Sequence, residues 1–86
     1  MKKTDVKALK KHVAQVVKSR REQLGLSQLA LGKLVDLSET TISRIERAEY
    51  LPTLEKTFEI AKALNTHPVM LLQKDSLSSF LDELPQ

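Results

Sequence analysis

Eighty-six residues, 41% apolar and 29% charged, with no cysteine, describe a single domain with a small core. Without cysteine, disulfides and thiolate metal sites are excluded. No apolar run approaches the ~18 residues of a membrane span, and the basic start Met1-Lys2-Lys3 is not followed by the apolar stretch of a signal peptide. The expected compartment is therefore the cytoplasm. The formal charge of +3 is unevenly divided: residues 1–21 carry eight Lys or Arg against Asp5 alone, and residues 22–86 carry six basic and ten acidic side chains. Such asymmetry fits either a polyanionic partner met by one end or a solvated, lysine-rich helix face.

Two glycines and three prolines predict an all-α chain. Val6, Leu9, Val13, Val16, Val17 and Leu24 share one face at helical spacing, giving a first helix of about 30 Å entered through Thr4 or Asp5. Gly25 closes it in the left-handed conformation. Ser27 caps a second helix from Gln28 to about Val35, with Leu31, Leu34 and Val35 apolar. A tight connection at Asp36-Leu37 leads to Ser38, the cap of a third helix that ends at Glu46 or Arg47. Leu51-Pro52-Thr53 forms a loop and a new cap, and the fourth helix carries Leu54, Phe58, Ile60, Ala61 and Leu64. Asn65-Thr66 breaks it, and Pro68 suits the first turn of a fifth, short helix reaching about Lys74. From Ser76 onward, Leu77, Phe80, Leu81 and Leu84 have the spacing of one or two further amphipathic turns. With no repeat, low-complexity tract or linker, residues 1–86 read as one domain.

Catalytic signatures are missing. The chain has no glycine-rich phosphate loop, and helical spacing places neither a nucleophile nor a carboxylate beside His12 or His67. His12 is expected at the rim of the first helix's apolar face and His67 at the cap of the fifth. The carboxylates are scattered, so no enzyme activity, metal or cofactor is expected. The third helix is more informative. With Glu39 at the origin of a 100° wheel, Ile42 and Ile45 fall at about 300° and 240°, which defines a buried side. Ser43, Arg47, Thr40 and Arg44 fall between about 40° and 140°, with Glu39 at the edge. A short polar face bearing a bulky cation can enter a major groove and hydrogen-bond base edges; it can equally face solvent.

Gly25-Leu26-Ser27-Gln28, Leu31, Val35, Leu37-Ser38, Thr41-Ile42-Ser43, Glu46, Pro52 and Ile60-Ala61-Lys62-Ala63-Leu64 together resemble the helix-turn-helix domain of the Cro and lambda repressor family, also called the xenobiotic-response-element family. The resemblance covers about residues 12–73 and leaves 74–86 as a tail. It implies a five-helix lambda-repressor-like domain, here with an extended first helix, whose second helix crosses the DNA backbone while the third reads the major groove. Carried over by residue, it implies that Glu39, Thr40, Ser43 and Arg44 meet bases. It also implies that Ser27, Gln28, Arg47 and Tyr50 meet phosphates, and that Arg21 and Glu46 form an ion pair joining helices 1 and 3. Gln28 would in addition brace the recognition helix, and Tyr50 has the alternative of packing on helix 4.

Three residues depart from the family pattern. Gly32 replaces a usual alanine and permits close approach of helix 3. Asp36 replaces a turn glycine and tolerates the left-handed region. Ala48 replaces the glycine after helix 3, which would let that helix end differently or run longer.

The function implied is sequence-specific binding of double-stranded DNA by a transcriptional regulator, most simply a homodimeric repressor on a near-palindromic operator. A phage-type repressor, a restriction–modification controller and an antitoxin with a toxin partner all fit. The alternative is a protein-interaction module that keeps the fold without DNA. Candidates for the dimer interface are Val69, Leu71 and Leu72, with the tail residues Leu77, Phe80, Leu81 and Leu84. No effector or protease domain is expected after the helix-turn-helix.

Overall fold

The ends of the helices show most directly how this chain folds. The computed structural model describes residues 3–72, apart from the side chains of residues 3–5, 69 and 72. Its helices are α1 (Lys3–Gln23), α2 (Gln28–Val35), α3 (Glu39–Glu46), α4 (Leu54–Ala63) and a short α5 (Pro68–Leu72). The tail positions Leu77, Phe80, Leu81 and Leu84 and the expected end of helix 5 near Lys74 lie outside the described residues.

Each of the three middle helices begins at a hydroxyl that accepts from an otherwise unsatisfied backbone N–H. Ser27 Oγ accepts from Ala30 N at 3.0 Å, Ser38 Oγ from Thr41 N at 3.0 Å, and Thr53 Oγ1 from Lys56 N at 3.1 Å. The first helix differs from expectation. Its backbone is already helical at Lys3 and runs through Thr4 and Asp5, because nothing in that stretch breaks a helix and good helix formers follow.

The first four helices each close through a residue with positive φ: Gly25 (71°), Asp36 (56°), Ala48 (61°) and Asn65 (54°). After α1, Leu26 N donates to Arg21 O and Gly25 N to Glu22 O, both at 3.0 Å. After α3, Glu49 N donates to Arg44 O at 2.9 Å and Ala48 N to Ile45 O at 3.1 Å. These paired bonds satisfy the last carbonyls of a helix. Asp and Asn tolerate the left-handed region; alanine does so only under strain. Thus Ala48 does not lengthen α3. The helix stops as if glycine were present, because the loop to α4 must reverse there. Gly32 has a related role: a Cβ on it would run into the carbonyl oxygen of Leu37, so the close approach it permits is that of the α2–α3 turn rather than of helix 3 itself.

Val13 and Val17 of α1, Leu31 and Val35 of α2, Ile42 and Ile45 of α3, Ile60 and Ala61 of α4, then Leu64 and Leu71, form the buried core. Several expected core positions lie outside it. Leu24, past the end of α1, is exposed, as are Leu34, Leu54 and Phe58. On α4 the reason is angular. Ile60, Ala61 and Leu64 define a side with Thr57 at its middle and Phe58 well off it. Thr57 is buried, and its hydroxyl donates to Thr53 O at 2.8 Å. Leu71 is 1% exposed; it belongs to the core of its own chain and is not available to a dimer interface.

Polar side chains fasten helix ends across the fold. Arg20 Nη2 donates to Leu64 O at 2.9 Å and Asn65 O at 3.1 Å, closing α4. Lys56 Nζ donates to Val35 O at 2.6 Å, closing α2. His12 is half-buried, with Nε2 2.8 Å from Met70 O.

Ala48→Gly removes the left-handed penalty on a β-carbon, which is worth about 1 kcal/mol here. For a domain of this size the melting temperature should rise by about 4–8 °C. A thermal scan checks this, and a lower melting temperature would show that Ala48 is not strained.

Candidate nucleic-acid interface

The two short helices α2 and α3 are joined by residues 36–38, and the cap Ser38 also places its Oγ 2.9 Å from Thr41 Oγ1. Burial of Ile42 and Ile45 turns the opposite side of α3 outward. Glu39, Thr40 and Arg44 are exposed there, Ser43 is half-buried beside them, and Arg47 is exposed at the C-cap. The surface is thus short-chained toward the start of the helix and cationic toward its end.

Behind this face sits a charged joint. Arg21 Nε donates to Glu46 Oε2 at 2.7 Å and Arg21 Nη2 to Glu46 Oε1 at 3.0 Å. The third donor, Nη1, reaches Leu26 O at 2.7 Å. Gln28 Nε2 also donates to Glu46 Oε1, at 3.1 Å. The side chains of Arg21 and Glu46 are only 12% and 3% exposed. The hydrogen bond to Glu46 raises the Arg21 pKa, aided by the charges of Glu46 and Glu22 and opposed by burial; the guanidinium is therefore charged at every pH at which the protein folds. A planar fork against a carboxylate resists rotation and sliding, so α1, α2 and α3 are held at one mutual angle.

The other expected phosphate-contacting residues are placed differently from one another. Ser27 is exposed, with its Oγ engaged by Ala30 N. Arg47 pairs with Glu49 at 3.2 Å, both well exposed, an arrangement worth little to stability. Tyr50 is half-buried against the core, with the Arg44 guanidinium carbon 5.6 Å from its ring centroid. A groove of about 600 Å³ beside the end of α3 is lined by Lys11, Gln15, Lys18 and Arg47, among others. Two features escaped the sequence reading. Arg20, counted with the partner-facing cations, is used on the carbonyls that close α4; a cation at the end of one helix does not reveal which other helix end it will reach. The Arg44–Tyr50 contact depends on the loop reversal at Ala48, where the family pattern has glycine.

Among the described residues, no cluster of three metal-ligating side chains occurs, and no helix is long and apolar enough to cross a membrane.

A helix-turn-helix family model matches residues 17–71. The chain belongs to the HTH_3 helix-turn-helix family. Within that family it is 41% identical over 59 residues to the repressor protein C2 of Salmonella phage P22, a match covering 69% of this chain and 27% of the repressor. The chain thus spans about a quarter of that relative's length. It is 37% identical over 71 residues to the control protein C.SmaI of Serratia marcescens, covering 83% of this chain and 84% of that protein. The crystal structure of the P22 c2 repressor in complex with synthetic operator 9T superposes with a TM-score of 0.70 at 38% identity, over 73% of this chain and 96% of that one. The restriction-modification controller protein C.AhdI of Aeromonas hydrophila gives 0.70 at 27% identity, over 77% and 96%. The fold of this HTH_3 domain is therefore all-helical and lambda-repressor-like.

The joint at Glu46 has a measurable energy. Removing one member of a buried pair strands the other charge, so Arg21→Ala and Glu46→Ala should each cost about 3–5 kcal/mol in urea unfolding. The double variant should cost clearly less than the two singles added together. Additive losses would show that the two side chains act independently.

Proposed function

We propose that this chain is a sequence-specific, double-stranded-DNA-binding transcriptional regulator that represses as a homodimer on a near-palindromic operator. The observation that carries the reading is the outward face of α3. It is polar and mostly exposed, while the same helix is held from behind by the Glu46 joint. A helix entering a major groove must present its side chains in one register, and the Glu46 joint supplies that fixed angle. The P22 relative is a repressor whose structure is known with an operator, and two further relatives are controller proteins.

In this reading residues 1–86 form one domain with a five-helix core over 12–73 and a tail over 74–86. Arg44 donates two bonds to O6 and N7 of a guanine, Glu39 accepts from a cytosine N4, Thr40 meets a thymine methyl, and Ser43 lies at the edge of the readout. Ser27, Gln28 and Arg47 meet the phosphate backbone, supported by the N–H groups at the start of α2. One α3 reads only a few base pairs, so specificity requires two copies of the domain. We assign the two-fold contact to Val69 and Leu72 with Leu77, Phe80, Leu81 and Leu84.

Base contacts and phosphate contacts differ in their response to mutation. Arg44→Ala should lose about 1–3 kcal/mol on the preferred duplex and flatten the preference at one G·C pair. Arg47→Ala should weaken all duplexes about equally and reduce the slope of log affinity against log salt by about one. Competition titrations at several salt concentrations check both. Unchanged base preferences in Arg44→Ala would overturn the assignment of the reading face.

A further inference from the structure

The loop after α3 brings an aromatic ring back to the reading face. At Ala48 the chain enters the left-handed region, Glu49 N returns to Arg44 O at 2.9 Å, and Tyr50 lies alongside the last turn of the helix it has just left. The Tyr50 ring is half-buried and packed against the core cluster, so it is a fixed object. The Arg44 guanidinium carbon lies over that ring, 5.6 Å from its centroid, within the range of cation–π attraction. Arg47, three residues on, is held differently: its Nε faces the carboxylate of Glu49 at 3.2 Å.

The difference matters for what each arginine can do next. A carboxylate partner occupies N–H donors that a base or phosphate would need. A ring beneath the guanidinium engages its π face and leaves the N–H groups at its edge free, and those are the groups that meet O6 and N7 of guanine. A long, exposed side chain otherwise loses rotamer freedom on binding, and a support that orders it beforehand improves affinity for the matched site.

We propose that Tyr50 is a positioning residue for Arg44: its ring orders the guanidinium ahead of DNA binding and thereby sets the strength of the guanine preference at one base pair. This rests on reading α3 as the base-reading helix. It also gives Tyr50 a different role from phosphate contact, since the ring matters here rather than the hydroxyl.

The test uses the full chain and duplexes recovered from a randomised pool, with the base pair that responds to Arg44→Ala varied to each alternative. Tyr50→Leu should reduce discrimination at that base pair by about 2- to 5-fold, with affinity for the altered duplexes nearly unchanged. Tyr50→Phe, which keeps the ring, should retain the discrimination of the native protein. Adding Tyr50→Leu to Arg44→Ala should have no further effect on that base pair. Should Tyr50→Leu unfold, NMR of the native protein still decides, because a ring beneath the guanidinium shifts the Arg44 δ-methylene protons upfield. Loss of discrimination in Arg44→Ala but not in folded Tyr50→Leu overturns the proposal and leaves the base-reading assignment intact. So does a Tyr50→Phe variant that binds every duplex more weakly by the same factor with an unchanged salt slope, since that marks an uncharged phosphate contact through the hydroxyl. An unshifted Arg44 methylene overturns it as well. If Arg44→Ala itself leaves every preference unchanged, both the proposal and the reading beneath it fall.

Discussion

The Glu46 carboxylate is the point on which the arrangement of the three N-terminal helices depends. A carboxylate that is 3% exposed is costly to remove from water unless donors replace the water it has lost. Two come from Arg21 on α1 and one from Gln28 at the start of α2. The third arm of Arg21 takes Leu26 O in the α1–α2 connection. Apolar burial of Ile42 and Ile45 draws α3 inward but is non-directional, so it leaves rotation about and sliding along the helix axis weakly defined. The forked bond supplies those restraints. The outward face of α3 is thus placed from its buried side, and its exposed residues remain available to a ligand.

The same economy governs the cations. The N-terminal stretch appears in the sequence as one basic block, yet Arg20 and Arg21 turn inward and are occupied by helix-end carbonyls and by Glu46. Lys7, Lys11 and Lys18 are exposed, and the last two line the groove that ends at Arg47. The charge available to a polyanion is thus smaller than a count of residues suggests, but it adjoins the end of α3.

Features governed by local chemistry were legible in the sequence. Ser27, Ser38 and Thr53 cap as their position before an apolar run implies, since capping involves only the next three residues. The two sides of α3 follow from two isoleucines three residues apart, and Glu46, about 40° from Ile42 on the same wheel, is correspondingly close to the buried side. What was not legible depended on partners distant in sequence or on small angular differences. On α4 a threonine fits the centre of the buried side and takes it, while the more apolar Phe58 is left outside. Nothing in the chemistry of Leu71 distinguishes a core residue from an interface residue, and only the packing of α5 on the rest of the chain assigns it to the core. Alanine at position 48 gives no sign of a left-handed residue by its own chemistry; only the glycine that the family pattern has there points to one, because the conformation is required by the reversal into the α4 loop. Tyr50 follows from Ala48 and was hidden for the same reason.

In the proposed function α3, held by Glu46, reads base sequence in duplex DNA. The most direct measurement is selection of the native protein on a fully randomised duplex pool, followed by sequencing of what is retained. Selection should return a short motif in two inverted copies whose centres lie about one helical turn apart, with a strongly preferred G·C pair in each. A retained pool as random as the input, at a salt concentration where binding is still measurable, would contradict that function.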